Sequence, residues 1–203
     1  LDLALVIDTT GSMTDELDYL KAEIDRIAES VRLRFPNVDQ RYALILYRDE
    51  GDRYLTRTFD FTNSLGQFQK TLSQQRAAGG GDYPEAMHIA LEQSALLSWR
   101  DKNTARVLFL VGDAPPHNHF FNRTFKAINQ LRSQQVTVFP IAASGAGDGV
   151  EFVMRHAAFV TSGQYLFLTD HSGVGNAHSR PQAKRYNVEH LDRLMLRMIA
   201  SEL

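Results

Sequence analysis

Five residues near the N-terminus, Asp8-Thr9-Thr10-Gly11-Ser12, follow the apolar run Leu3-Ala4-Leu5-Val6-Ile7. Their types and spacing suit the binding of a hard cation. A carboxylate and two hydroxyls fall at alternate positions, and in a tight turn alternate side chains converge on one point. This all-oxygen set favours Mg2+ or Mn2+ over Zn2+ or copper. Two further loops carry compatible groups, Gly79-Gly80-Gly81-Asp82 and Val111-Gly112-Asp113. Asp82 precedes a helical pattern, and Asp113 ends an uninterrupted apolar run. If the strands carrying Asp8 and Asp113 are neighbours, their carboxylates meet at the C-terminal edge of the sheet. That edge, at the point where strand order reverses, is where open α/β sheets place their ligands. One divalent cation then accounts for all three loops.

The elements that must position these loops are read from periodicity. Short apolar runs at 3–7, 42–47, 107–111, 136–142 and 165–168 read as strands. Residues 54–61 return after the polar turn 48–52, which makes a hairpin. Leu17, Leu20, Ile24, Ile27 and Val31 recur at three and four, the period of an amphipathic helix. Shorter helical patterns occupy 64–73, 86–99, 121–132 and 151–158, and a last one carries Val188, Leu191, Met195, Met198 and Ile199. Strands separated by helices require right-handed crossovers and a mainly parallel sheet. The expected fold is therefore α/β and Rossmann-like. It is a doubly wound, mainly parallel open sheet of about six strands, one an antiparallel edge strand, with helices on both faces. Residues 170–186 form the longest irregular stretch and follow a strand, so they are expected to shape the rim of the same edge.

Composition narrows the function. A chain of 203 residues reads as a single domain, 1–203, and its start one residue before a strand suggests a domain excised from a longer protein. A net charge of -2 gives no electrostatic reason for nucleic acid or an anionic membrane as partner. No apolar run approaches the ~20 residues of a membrane span, so no membrane insertion is expected. The absence of cysteine excludes disulfides, thiolate metal sites and thiol nucleophiles.

Each motif also has a plainer explanation. Ser12-Met13-Thr14-Asp15 fits a helix capping box, and Asp82 with Pro84 fits a capped helix start. Asp113 can simply end a strand before Pro115-Pro116. His117 and His119 read as loop histidines, and His88 and Trp99 as packing residues. The turn at 145–149 lacks both the Walker lysine and the full dinucleotide fingerprint. Three coincidences at one sheet edge are less economical than one metal site.

Asp-x-Thr-x-Ser after the first strand, a Gly-rich loop before a helix, and a strand ending in Gly-Asp together resemble the von Willebrand factor A domain, along the whole chain. The likeness implies a metal-ion-dependent adhesion site holding Mg2+, or Mn2+ or Ca2+, and no catalytic activity. Thr10 and Ser12 would then ligate the metal directly, and Asp8 and Asp113 directly or through water. An acidic side chain from a protein ligand would complete the shell. The family usually has threonine in the second loop, where this chain offers Asp82, as a subset of the family does. That variant strengthens metal binding and weakens the pull on a partner's carboxylate. Rim positions expected to touch the ligand are Met13, Tyr83, Pro115, His117 and Asp148. The resemblance also implies a last helix, 188–203, whose movement couples to the metal. It leans towards an extracellular or periplasmic setting and leaves the cytoplasm open.

The alternative is an enzyme. Asp8-Thr9-Thr10-Gly11-Ser12 is similar to the Asp-Lys-Thr-Gly-Thr loop of haloacid-dehalogenase-type phosphotransferases, whose aspartate is a nucleophile assisted by Mg2+. Against it, positions 9 and 10 are both threonine, and no acidic residue follows within four positions of Asp113. Lys102 and Lys126 are the lysines that could serve it.

Overall fold

A computed structural model describes residues 1–81, 83–143, 145–169 and 187–203. The first apolar run forms β1 (Asp2–Asp8), buried along its whole length. A strand with no polar side must lie inside a sheet covered on both faces. The other strands are β2 (Arg41–Tyr47), β3 (Thr56–Thr62), β4 (Arg106–Gly112), β5 (Val136–Ala142) and β6 (Leu166–Phe167). They form one six-stranded sheet in the order β3-β2-β1-β4-β5-β6. All pairings are parallel except β2 with β3, the expected hairpin. The order reverses between β1 and β4, and there Ile7 lies opposite Val111. Asp8 and Asp113 thus leave the sheet side by side.

The helices are α1 (Thr14–Arg34), α2 (Leu65–Ser73), α3 (Met87–Ala95), α4 (Phe121–Ser133), α5 (Asp148–Val160) and α6 (Leu191–Glu202). Alternate strand residues divide the core between two faces. Leu3, Leu5, Ile7, Phe109 and Val111 pack against α1, α2 and α6. Ala4, Val6, Ile45, Leu108 and Leu110 pack against α3, α4 and α5. No helix among the described residues is long and apolar enough to cross a membrane.

Three helix boundaries differ by three or more residues from the sequence reading. α3 stops at Ala95 instead of continuing to Trp99, because the Trp99 indole N–H and the Leu97 amide both donate to the Ser94 carbonyl and close the helix. α5 begins at Asp148, ahead of the expected 151, with Gly147 extended before it and two acids in the first turn, where they complement the helix dipole. The last helix begins at Leu191, so Val188 lies outside it and is exposed. Residues 170–186, expected on the rim, lie outside the described residues. α6 packs on α1, where Arg26 and the Tyr19 hydroxyl meet Asp192.

At the opposite end of the sheet from Asp8, the fully buried Asp2 carboxylate is held by Arg41 at 2.6 Å and by Arg100 at 2.8 Å. Arg100 also donates its backbone N–H at 2.8 Å. Burial alone would push this carboxyl up, yet the two guanidiniums hold it below the ordinary carboxylate value. A depressed folded pKa contributes stability that is present above the unfolded value and is lost as pH falls through the folded one. Asp2→Asn should therefore lower unfolding stability by about 3 kcal/mol at neutral pH, since it strands two arginines at a buried site. The loss should shrink as pH falls below the ordinary carboxylate value and through the lowered folded one, where the buried carboxylate itself protonates. Urea melts at both pH values check this.

Candidate metal centre

Asp8 is the last residue of β1 and is fully buried. Its Oδ1 accepts from the Thr10 backbone N–H at 2.9 Å and from the Thr10 hydroxyl at 2.8 Å. Its Oδ2 has no partner among the described residues. The chain then enters a short 3-10 turn, Gly11–Met13, which sets the Thr10 and Ser12 hydroxyls 3.4 Å apart. The same turn closes with the Met13 N–H on the Thr10 carbonyl and directs the methionine inward.

The Gly-rich loop is stitched to this turn by backbone hydrogen bonds. Ala78 N–H donates to Thr9 O, and Gly11 N–H to Gly79 O, each at 3.0 Å. Gly79 and Gly80 both have positive φ, and a Cβ on Gly79 would lie 2.1 Å from Asp52 Oδ1. That Asp52 carboxylate accepts the Gly80 N–H at 3.1 Å. Glycine is therefore required here by backbone conformation and by space. The third loop, after β4, joins the second through Glu85 N–H, which donates to Pro115 O at 2.9 Å.

The three loops enclose a cleft of about 400 Å³ lined by Thr10, Ser12, Gly79–Gly81, Tyr83, Glu85 and Asp113. Asp113 is almost buried, and burial raises its pKa against the opposing hydrogen bond from Ser12. Burial pushes the Asp8 carboxyl up to about 7, Thr10 opposes the shift, and Asp113 and Asp49 add to it. Glu85 is pushed up to about 9 by burial and then by Asp8, Asp49, Asp52 and Asp113. Tyr47, fully buried beneath, has a hydroxyl without a partner among the described residues. The result is an open, oxygen-rich cleft with buried carboxyl groups beside it and neither lysine nor arginine in its lining among the described residues. No three acidic or histidine side chains among the described residues form a ready cage, so the donor set is carboxylates mixed with hydroxyls.

Asp8, Thr10, Ser12 and Asp113 are thus brought together. Asp82 lies outside the described residues. Of the rim positions, Tyr83 lines the cleft and is half exposed, with its hydroxyl accepting from Gly147 N–H at 3.0 Å. Met13 is not on the rim, because the 3-10 turn buries it in the core under α1. Pro115 is buried as well, against Gly149 at the start of α5. His117 binds Asp49 at 2.8 Å, and Asp148 is exposed on α5; neither lines the cleft. His88 is buried and stacked on Phe120, a packing role as expected. Neither helix start shows the capping alternative, since no side chain caps α1 and α3 begins only at Met87. Glu85 was missed as a site residue. Its signal was a carboxylate closing the same Gly-Gly-Gly-Asp-Tyr-Pro-Glu loop.

The profile of the von Willebrand factor A domain family matches residues 2–173. The chain belongs to that family. Domains of this kind generally mediate protein–protein interaction. This von Willebrand factor A domain is 34% identical over 186 residues to a putative ariadne-like RING finger protein of Acanthamoeba polyphaga mimivirus, covering 83% of this chain and 18% of that one. It is 31% identical over 118 residues to the alpha-protein kinase vwkA of Dictyostelium discoideum, covering 58% and 19%. It is 32% identical over 135 residues to von Willebrand factor A domain-containing protein 7 of Homo sapiens, covering 66% and 14%. The chain therefore spans less than a fifth of the length of each. Among solved structures, BatB of Bacteroides thetaiotaomicron superimposes with a TM-score of 0.69 at 11% identity, covering 100% of this chain and 98% of that one. A von Willebrand factor type A structure from Catenulispora acidiphila gives 0.64 at 14% identity, covering 83% and 38%. These likenesses show the shared fold.

The glycine requirement is testable. Gly79→Ala should cost about 1–3 kcal/mol in urea unfolding, because strain and the Asp52 clash act together. Gly81→Ala, with open space at its Cβ position, should stay within about 0.5 kcal/mol of the parent. Equal effects at the two positions would contradict the stitched-loop account.

Proposed function

We propose that this domain binds a protein partner through a divalent cation, Mg2+ or Mn2+ with Ca2+ also compatible, held at the cleft, and that it is not an enzyme. The observation that carries the reading is the buried Asp8 Oδ2, without a partner among the described residues, beside a second buried carboxylate and two hydroxyls. Buried anionic oxygens are normally satisfied by a hydrogen bond or a cation. Among the described residues Asp8 Oδ2 has neither, and the oxygens around it are those a hard cation takes. Asp8, Thr10, Ser12 and Asp113 would hold the ion, with Asp82 as the sequence-derived fifth candidate. The bound ion would supply a Lewis-acidic point open to one oxygen of a partner.

The remaining work falls to the protein's own groups. Thr10 orients the Asp8 carboxylate through two hydrogen bonds to Oδ1, which leaves Oδ2 as its other donor atom. Tyr83 stands half exposed at the mouth of the cleft and supplies surface for a partner. The phosphotransferase alternative gains no support. Lys102 precedes β4 at the other end of the sheet, Lys126 is on α4, and neither lines the cleft. The kinase and RING activities in the names of two relatives belong to proteins more than five times the matched length.

Calorimetric titration of chelator-treated protein should show one Mg2+ or Mn2+ site. Ser12→Ala should weaken it by about tenfold or more, and Asp82→Ala should weaken it if that residue is part of the shell. Ser12 is exposed, so its loss should leave the fold intact. No phosphate release from generic phosphoesters is expected. Absence of metal binding by the parent protein would sink this reading.

A further inference from the structure

The helices α4 and α5 carry an aromatic surface that the metal cleft does not use. Phe121 and Phe125 lie on α4 with ring centroids 5.9 Å apart. Across the groove between the helices, Phe125 meets two rings of α5, Phe152 at 6.2 Å and His156 at 4.5 Å. Phe159 comes seven residues after Phe152 and three after His156, so these three share one stripe of α5. Phe152 is 59% exposed and Phe159 86%, although phenylalanine is among the residues most often buried. A single exposed ring needs no explanation, but a stripe continuous with a groove marks a binding surface. The charge beside it is one-sided. α4 carries Arg123, Lys126 and Arg132 and no acid. Arg123 is held by Glu92 at 2.7 Å, whereas no ion pair engages Lys126 or Arg132 among the described residues. Arg132 lies seven residues beyond Phe125, on the same stripe of α4. The two acids of α5, Asp148 and Glu151, sit in its first turn, and Glu151 is bound to Arg155. Both helices connect neighbouring parallel strands and so run in the same direction. Their last two turns, beside Phe159 and Arg132, contain no acid.

We infer that the groove between α4 and α5 docks an acidic amphipathic helix of a partner protein. Its apolar side chains cover Phe125, Phe152 and Phe159, and its carboxylates meet Lys126 and Arg132. The stripe from Phe152 to Phe159 is about 10 Å long, the reach of two helical turns. A helix with apolar residues at i, i+3 or i+4, and i+7 matches that length. Charge selects the partner, because unpaired cations beside the rings attract carboxylates and repel a basic segment. Rings and cations also suit single-stranded nucleic acid, but a net charge of -2 disfavours a polyanion on the whole molecule. The surface needs no metal, so it stands or falls apart from the cleft.

The test is a nuclear magnetic resonance titration of the isotope-labelled chain, in chelator, with two synthetic helical peptides of about four turns. Both carry leucine at the apolar positions; one has glutamate at the others and the second has lysine. The glutamate peptide should shift amides of α4 and α5 and bind about tenfold or more tightly than the lysine peptide. Phe152→Ser and Phe159→Ser should each weaken it about fivefold or more. Phe159 is the more exposed ring, so its variant should keep the parent's thermal midpoint and carries the test if Phe152→Ser does not fold. Replacing both cations, Lys126→Glu with Arg132→Glu, should reverse the preference between the peptides. Equal binding of the two peptides, shifts confined to other faces, or no shift at about millimolar peptide overturns the proposal. Self-association that Phe159→Ser abolishes also overturns it, in favour of a second copy of the chain. Tighter binding of a single-stranded oligonucleotide than of the glutamate peptide overturns it in favour of nucleic acid.

Discussion

Everything at the C-terminal edge of this sheet depends on one constraint, the burial of the Asp8 carboxylate at the end of the central strand. β1 is covered on both faces, so its last side chain cannot turn to solvent. An ionised carboxylate in such a place is costly unless its oxygens are engaged. One oxygen is engaged by Thr10, through the backbone and the hydroxyl. The other faces a neighbourhood of further carboxylates. The fold thus gathers carboxyl groups where neither lysine nor arginine lines the cleft among the described residues, and the proposed divalent ion would resolve that conflict.

The three loops cooperate through backbone contacts more than through side chains. Gly11 and Ala78 donate across the first and second loops, and Glu85 donates across the second and third. Positive φ at Gly79 and Gly80 allows the second loop to lie flat over Thr10. The opposite edge shows the contrast. There buried Asp2 is matched by two arginines, and charge is balanced within the protein.

That Asp8 and Asp113 open on the same edge was legible in the sequence because both follow continuous apolar runs, whereas the adjacency of β1 and β4 comes from the structure. Such runs mark central parallel strands, and the hairpin between them occupies the other side of β1. The hairpin itself was legible from its polar turn, although that turn also delivers Asp49 and Asp52 to the site. Glu85 was not legible as a site residue. Proline followed by glutamate imitates the first turn of a helix, and only the bridge to Pro116 shows that α3 starts later. Met13 failed for a related reason. Its spacing from Ser12 does not reveal the 3-10 turn, which exposes the serine and buries the methionine. Trp99 looked like a helical residue, yet its indole caps the end of α3.

Crystals grown with Mn2+ test the central claim most directly, by anomalous scattering from the metal. The account predicts one strong anomalous peak in the cleft, within bonding distance of the Ser12 hydroxyl and of carboxylate oxygens from the Asp8 and Asp113 strands. A cleft without a peak in crystals that bind Mn2+ elsewhere, or a peak ligated by none of these residues, would contradict it.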